Sequence, residues 1–139
     1  QSQGSPMADE NLCTVKATVE EPPELIVNLT SDVNEEPESS LMALHFADKA
    51  LENDIPVTVF MNVRGVKLAS NASADVVFNG ENLQGIIKSI LNKGGKVVAC
   101  PMCMKVQGVE ESELMDGIEV SSTGFMMQKL RESPTVFTY

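Results

Sequence analysis

The chain contains no tryptophan, one tyrosine, one histidine and only three cysteines in 139 residues. Three cysteines in a chain of this length do not make a disulfide framework, so the fold has to rest on a hydrophobic core. With 42% hydrophobic residues, one domain can supply that core. Basic side chains are scarce too: ten Lys and Arg face twenty Asp and Glu, for a formal net charge of -10. Nucleic acid and anionic membrane surfaces are held by clustered Lys and Arg, so this composition argues against both. No apolar run approaches the roughly 20 residues of a membrane span. Internal repeats and low-complexity segments are absent.

What remains is an alternation of short apolar strands and amphipathic helices. Residues 1–24 are acidic, contain Pro22-Pro23, and read as a flexible leader or an edge strand, with weak alternation at Cys13, Val15, Ala17 and Val19. Residues 25–139 read as one α/β domain. The predicted strands are Leu25 to Leu29, Val57 to Met61, Asp75 to Phe78, Lys96 to Ala99 and Thr135 to Thr138. Between them, helical spacing appears at Leu41, Leu44, Ala47 and Leu51, and again at Leu83, Ile86, Ile87 and Ile90. A short helix runs to Gly108, an acidic loop follows, and a last helix covers about Ser122 to Arg131. Short, continuous apolar strands alternating with helices predict a three-layer α/β/α fold with a mostly parallel sheet of about five strands.

Reaction and ligand sites of such sheets lie beyond the C-terminal strand ends. Three loops meet that condition: Asn28 to Asp32, Asn62 to Gly65, and Ala99 to Cys103. In the third, a β-branched run delivers Cys100 to a helix that opens with Pro101, a residue suited to the first helical position. Cys100 would then be the N-cap, facing unpaired N–H groups and the positive end of the helix dipole, with Lys105 adding to the field. A reactive thiol is the expectation, with Cys103 as a resolving or modulating partner. Two small buried hydrophobes are the plainer alternative. Structural zinc is not expected, because no second cysteine pair follows and the lone His45 lies on a distant amphipathic helix, beside Leu41 and Leu44. A thioredoxin-like order of elements is also opposed, since the motif falls late and no Trp precedes it.

Asn28, Thr30, Asp32 and Asn62 are candidates to bind a ligand or partner at the site, although capping and turn formation also explain the first three. Arg64 would add positive charge if its loop reaches the thiol, and Pro101 and Met102 would flank it. Met102, Met104, Met115, Met126 and Met127 read as core filling, or else as an adaptable partner surface. Cysteine usage favours a reducing cytoplasm. The Gln at position 1 also fits the remnant of an expression tag ending before Met7, or a cleaved export signal, which would make the protein exported or periplasmic.

Several pieces in order resemble one family. They are Val27-Asn-Leu-Thr-Ser-Asp32, the helix Leu41 to Leu51, Val57 to Met61, Val98-Ala-Cys100 with Gly108-Val109, and Leu114 to Ser122. Together they are similar to the DsrE/DsrF-like (DsrE/TusD/YchN-like) proteins of sulfur relay, whose fold is related to flavodoxin-like architectures. The resemblance implies that Cys100 accepts sulfur as a persulfide and hands it to the next protein, in a sulfurtransferase-like role without an organic cofactor. It also implies donor and acceptor protein partners and a homo-oligomer, a trimer or hexamer, with the cysteine loops near subunit contacts. Two departures stand out: Val106 and Gln107 occupy positions that are often basic in relay proteins, and Cys103 is an added thiol. The alternatives are a non-catalytic oligomeric binding module of the same fold, and thiol–disulfide exchange by the Cys100 and Cys103 pair.

Overall fold

The computed structural model describes residues 21–139. Most of the expected leader, Cys13 included, lies outside the described residues. Five parallel strands form the sheet, in the order β6 (Glu119–Val120), β5 (Lys96–Ala99), β2 (Val57–Met61), β1 (Leu25–Leu29) and β7 (Thr135–Thr138). The α-helices are α1 (Pro37–Glu52), α2 (Leu83–Asn92), α3 (Pro101–Gln107) and α4 (Thr123–Arg131).

Period-two alternation divides the sheet into two different faces. Leu25, Val27, Leu29, Val57, Val59, Met61, Val97 and Ala99 join the main core, together with Leu41, Leu44 and Ala47 of α1 and Leu83, Ile87 and Ile90 of α2. Ile26, Asn28, Thr58, Phe60 and Val98 turn the other way. Among the described residues α4 is the helix on that second face, and none of its side chains is fully buried. Lys129 holds α4 down through its ion pair with Glu24 at 2.9 Å, and the same carboxylate accepts a hydrogen bond from the Thr58 hydroxyl.

One predicted strand is misplaced. Val77–Phe78 (β3) is not in the sheet; it pairs antiparallel with Glu81–Asn82 (β4) across Asn79 and Gly80, both at positive φ. Asn-Gly in that conformation makes a tight hairpin rather than a strand end. The fifth sheet strand is instead Glu119–Val120, inside the expected acidic loop. Two residues carry no readable period, and only pairing with the free edge of β5 makes them a strand.

Two close contacts lock the loops at the C-terminal strand ends. Asp32 is buried, at 3% exposure; its carboxylate accepts from Lys67 Nζ at 2.7 Å and from the Asn34 N–H at 2.8 Å. The pair ties the loop after β1 to the 3-10 helix Val63–Ala69 that follows β2. Gly65 of that helix runs against β1 so closely that a Cβ there would lie 1.9 Å from the Leu29 carbonyl oxygen.

Lys67 beside Asp32 holds this carboxyl below the usual carboxylate range, chiefly through its hydrogen bond and against the opposing effect of burial. Because the folded value is the lower one, the contribution to stability is complete above the ordinary carboxylate range and is lost as pH falls through the folded value. Asp32→Ala is expected to lower stability by about 2 kcal/mol at neutral pH. Urea titrations should show the gap to wild type closing below about pH 4; a gap independent of pH would contradict this account. Gly65→Ala should cost about 3 kcal/mol, because backbone and not a flexible side chain has to move. A thermal melt close to that of wild type would show that the two loops are not so tightly apposed.

Candidate functional site

The parallel register brings the ends of β1, β2 and β5 side by side. Cys100 leaves β5 still bound to the neighbouring β2, its N–H donating to the Met61 carbonyl at 2.9 Å. It is the N-cap of α3, with Pro101 in the first turn. Its Sγ accepts the Cys103 N–H at 3.4 Å, and its carbonyl accepts the Met104 N–H at 2.9 Å. Gly108 ends the helix in the left-handed conformation at φ 75°. That conformation suits glycine because it has no Cβ to clash.

Both thiols are half-buried and free. Cys103 Sγ donates to Asn62 Oδ1 at 3.1 Å and accepts the Val63 N–H at 3.1 Å. Burial pushes the Cys103 thiol up, the neighbouring Cys100 adds to the rise, and the Val63 N–H opposes it. Val63 occupies the left-handed region at φ 51°, an unusual conformation for a β-branched residue. Its N–H also donates to Asn62 Oδ1 at 3.1 Å, which fixes the orientation of that amide. Asn62 Nδ2 donates to Asn28 Oδ1 at 3.4 Å, and Asn28 Nδ2 donates to Thr138 Oγ1 at 3.2 Å. A polar chain thus crosses the strand ends from β7 to Cys103.

Cys100 opens into a groove of about 470 Å³ between α4 and the thinly covered sheet face. Ile26, Asn28, Phe60 and Val136 form its floor; Met126, Met127 and Leu130 form the α4 wall; and Asn62, Pro101, Met102 and Ser121 to Thr123 surround the thiol. Among the described residues no Lys, Arg, Asp or Glu lines it. This environment suits apolar contact with a few hydrogen bonds more than capture of a small anion.

Of the residues singled out from sequence, Cys100, Cys103, Asn28, Asn62, Pro101 and Met102 come together here. Thr30 is turned to the chain end, its hydroxyl donating to the Tyr139 carbonyl at 2.8 Å. Asp32 is committed to Lys67, and Arg64 is exposed outside the groove lining. His45, on α1, lies 2.9 Å from Glu81. The sequence reading missed Ile26, Phe60, Ser121, Ser122, Thr123, Leu130, Val136 and Thr138. Strand alternation could have placed Ile26 and Phe60 on the face of Asn28, whereas the others needed the sheet order. Among the described residues no three His, Cys, Asp or Glu side chains cluster to hold a metal ion.

Comparison with known proteins agrees with this architecture. The Escherichia coli YchN protein has a similar fold, with a TM-score of 0.73 at 18% identity over 84% of this chain and 99% of that one. MTH1491 of Methanobacterium thermoautotrophicum, a protein of unknown function, gives 0.64 at 17% identity, again over 84% and 99%. In sequence, the uncharacterized protein MJ0760 of Methanocaldococcus jannaschii is 30% identical over 76% of this chain. That match spans only 39% of MJ0760. MK0008 of Methanopyrus kandleri, also uncharacterized, is 28% identical over 84% of this chain and 98% of its own. The profile of the DsrE/DsrF-like family matches residues 25–139. With its cysteine loop at the end of a five-stranded parallel sheet, the chain belongs to the DsrE/DsrF-like family.

Proposed function

We propose that the protein carries sulfane sulfur as a persulfide on Cys100, between a donor and an acceptor protein. The observation that carries this reading is the position of Cys100 at the junction of β5 and α3, its sulfur lining an open apolar groove while Cys103 is turned to Asn62. Family membership supports a role related to sulfur relay. In the loading step the Cys100 thiolate attacks the outer sulfur of a donor persulfide. The donor S–S bond breaks, the donor leaves as a thiolate, and Cys100 holds the new S–S bond with no external oxidant. Transfer to the acceptor thiolate is the same exchange in reverse. Asn28, Asn62, Pro101 and Met102 would contact the incoming partner segment, and no organic cofactor or metal takes part.

A second feature supports self-association. Met102 and Val106 are 70% and 71% exposed, and Met127, Leu130, Val136 and Phe137 are also exposed on the groove side or the neighbouring β7 edge. So much exposed apolar surface beside the site fits a homo-oligomer, a trimer or hexamer, with the cysteine loops near the contacts. No helix among the described residues is long and apolar enough to cross a membrane. A reducing cytoplasm suits a thiol carrier.

Intact-mass measurement after exposure to a small persulfide donor is expected to show one added sulfur atom per chain, lost in Cys100→Ser and retained in Cys103→Ser. Uptake that survives Cys100→Ser would overturn the assignment. Formation of an internal disulfide with no added sulfur would favour thiol–disulfide exchange. For the assembly, light scattering at micromolar concentration should give a multiple of the chain mass, and Met127→Lys with Val136→Lys should shift it towards the monomer. A wild-type monomer would remove the oligomeric part of the proposal.

A further inference from the structure

Asn62 does more than line the groove. Its Oδ1 can only accept, so the 3.1 Å contact with Cys103 Sγ forms only when Cys103 carries its proton. Turning the amide over would point its NH2 group at the Val63 N–H, which donates to Oδ1 at 3.1 Å, and would give up the Nδ2 hydrogen bond to Asn28, so the network favours the oxygen facing Cys103.

The consequence concerns the proposed persulfide. Cys103 lies one helical turn from Cys100, whose Sγ accepts the Cys103 N–H at 3.4 Å. If Cys103 were a thiolate, it could attack the inner sulfur of a Cys100 persulfide. The persulfide S–S bond would break, a Cys100–Cys103 disulfide would form, and hydrosulfide would leave with the sulfur that was to be delivered. The persulfide itself is the oxidant, so nothing else is needed. A thiol does not react in this way at a comparable rate, since the thiolate is the nucleophile.

We infer that Asn62 is a positioning residue that keeps Cys103 as a neutral thiol and thereby protects the sulfur carried on Cys100 from loss as hydrosulfide. The inference rests on the persulfide reading of Cys100. Burial of Cys103 acts in the same direction as Asn62, whereas the Val63 N–H opposes it. Among the described residues, the ionisable groups on the elements packed around Cys103 are Cys100 itself, Arg64 and Lys67 of the 3-10 helix, and Lys105 of α3, with Lys67 already paired with Asp32. These groups are the same in every variant compared below.

Two substitutions with opposite expected signs separate this role from a merely structural one. Site-resolved alkylation with iodoacetamide across pH 6 to about 10 reads each cysteine by peptide mass. Asn62→Leu removes the acceptor and should speed Cys103 labelling near neutral pH roughly three- to tenfold, moving its pH profile down. Asn62→Asp keeps an acceptor and adds negative charge, so it should slow Cys103 and move the profile up. Changes of the same sign in both variants would overturn the inference, and Asn62→Asp decides alone if Asn62→Leu does not fold. In a second arm, protein loaded by a small persulfide donor is followed by sulfide release and intact mass. Asn62→Leu should lose hydrosulfide several-fold faster than wild type while forming the disulfide, and adding Cys103→Ser should abolish that gain. Equal release rates would overturn the protective role. Failure of wild type to take up sulfur would instead sink the persulfide reading, and the protective role with it, while the alkylation arm still decides whether Asn62 controls Cys103.

Discussion

Parallel pairing of β1, β2 and β5 is the constraint on which the rest of this structure depends. Parallel strands in register end on the same side, so Leu29, Met61 and Ala99 release their chains next to one another. Everything chemically notable follows from those three exits: the Asn28 amide on β1, the Asn62 turn after β2, and the Cys100 cap after β5. The backbone bonds Asn62 N–H to Leu29 O and Cys100 N–H to Met61 O, each 2.9 Å, carry the ladder one step beyond the strands. The loops therefore inherit the rigidity of the sheet, as a preorganised thiol site requires.

The two faces of the sheet differ in a way that serves the site. On one face α1 and α2 complete a dense core, and its side chains are aliphatic and nearly inaccessible. On the other, α4 rests on the sheet through Lys129 and Glu24 and leaves a groove beside Cys100. A fully covered second face would have enclosed the thiol, whereas no cover would have exposed Ile26 and Val98 to water. Val63 adds local strain at the same place. Its left-handed backbone points one N–H at both Asn62 and Cys103, and such outliers persist where the surroundings hold them.

Much of the fold could be read from local patterns. The helices at Pro37–Glu52 and Leu83–Asn92 and the strands at Leu25–Leu29, Val57–Met61 and Lys96–Ala99 stand where hydrophobic period and punctuation put them. The N-cap position of Cys100 followed from Pro101 alone. The errors fell on the shortest elements. Val77–Phe78 and Glu119–Val120 are two residues each, and for such pieces the partner edge decides, not the side chains. The 3-10 helix Val63–Ala69 went unread because its close approach to β1 depends on Gly65 meeting a carbonyl 36 positions earlier.

By itself the sequence determined the α/β class, the strand-to-helix turn that presents Cys100, and the acidic, cation-poor character of the chain. These are local properties: period, cap, glycine and charge act over a few residues or simply add up. Only the tertiary structure decided which side chains share a site. Asn28, Asn62 and Thr138 lie on three different strands or their exits, and nothing in their spacing shows that their amides and hydroxyl form one chain of hydrogen bonds ending at Cys103. It decided likewise that Asp32 is held by Lys67 and that Thr30 binds the chain end. Such assignments depend on which strands become neighbours, and that is settled by the collective burial of the sheet rather than by any short stretch of chain.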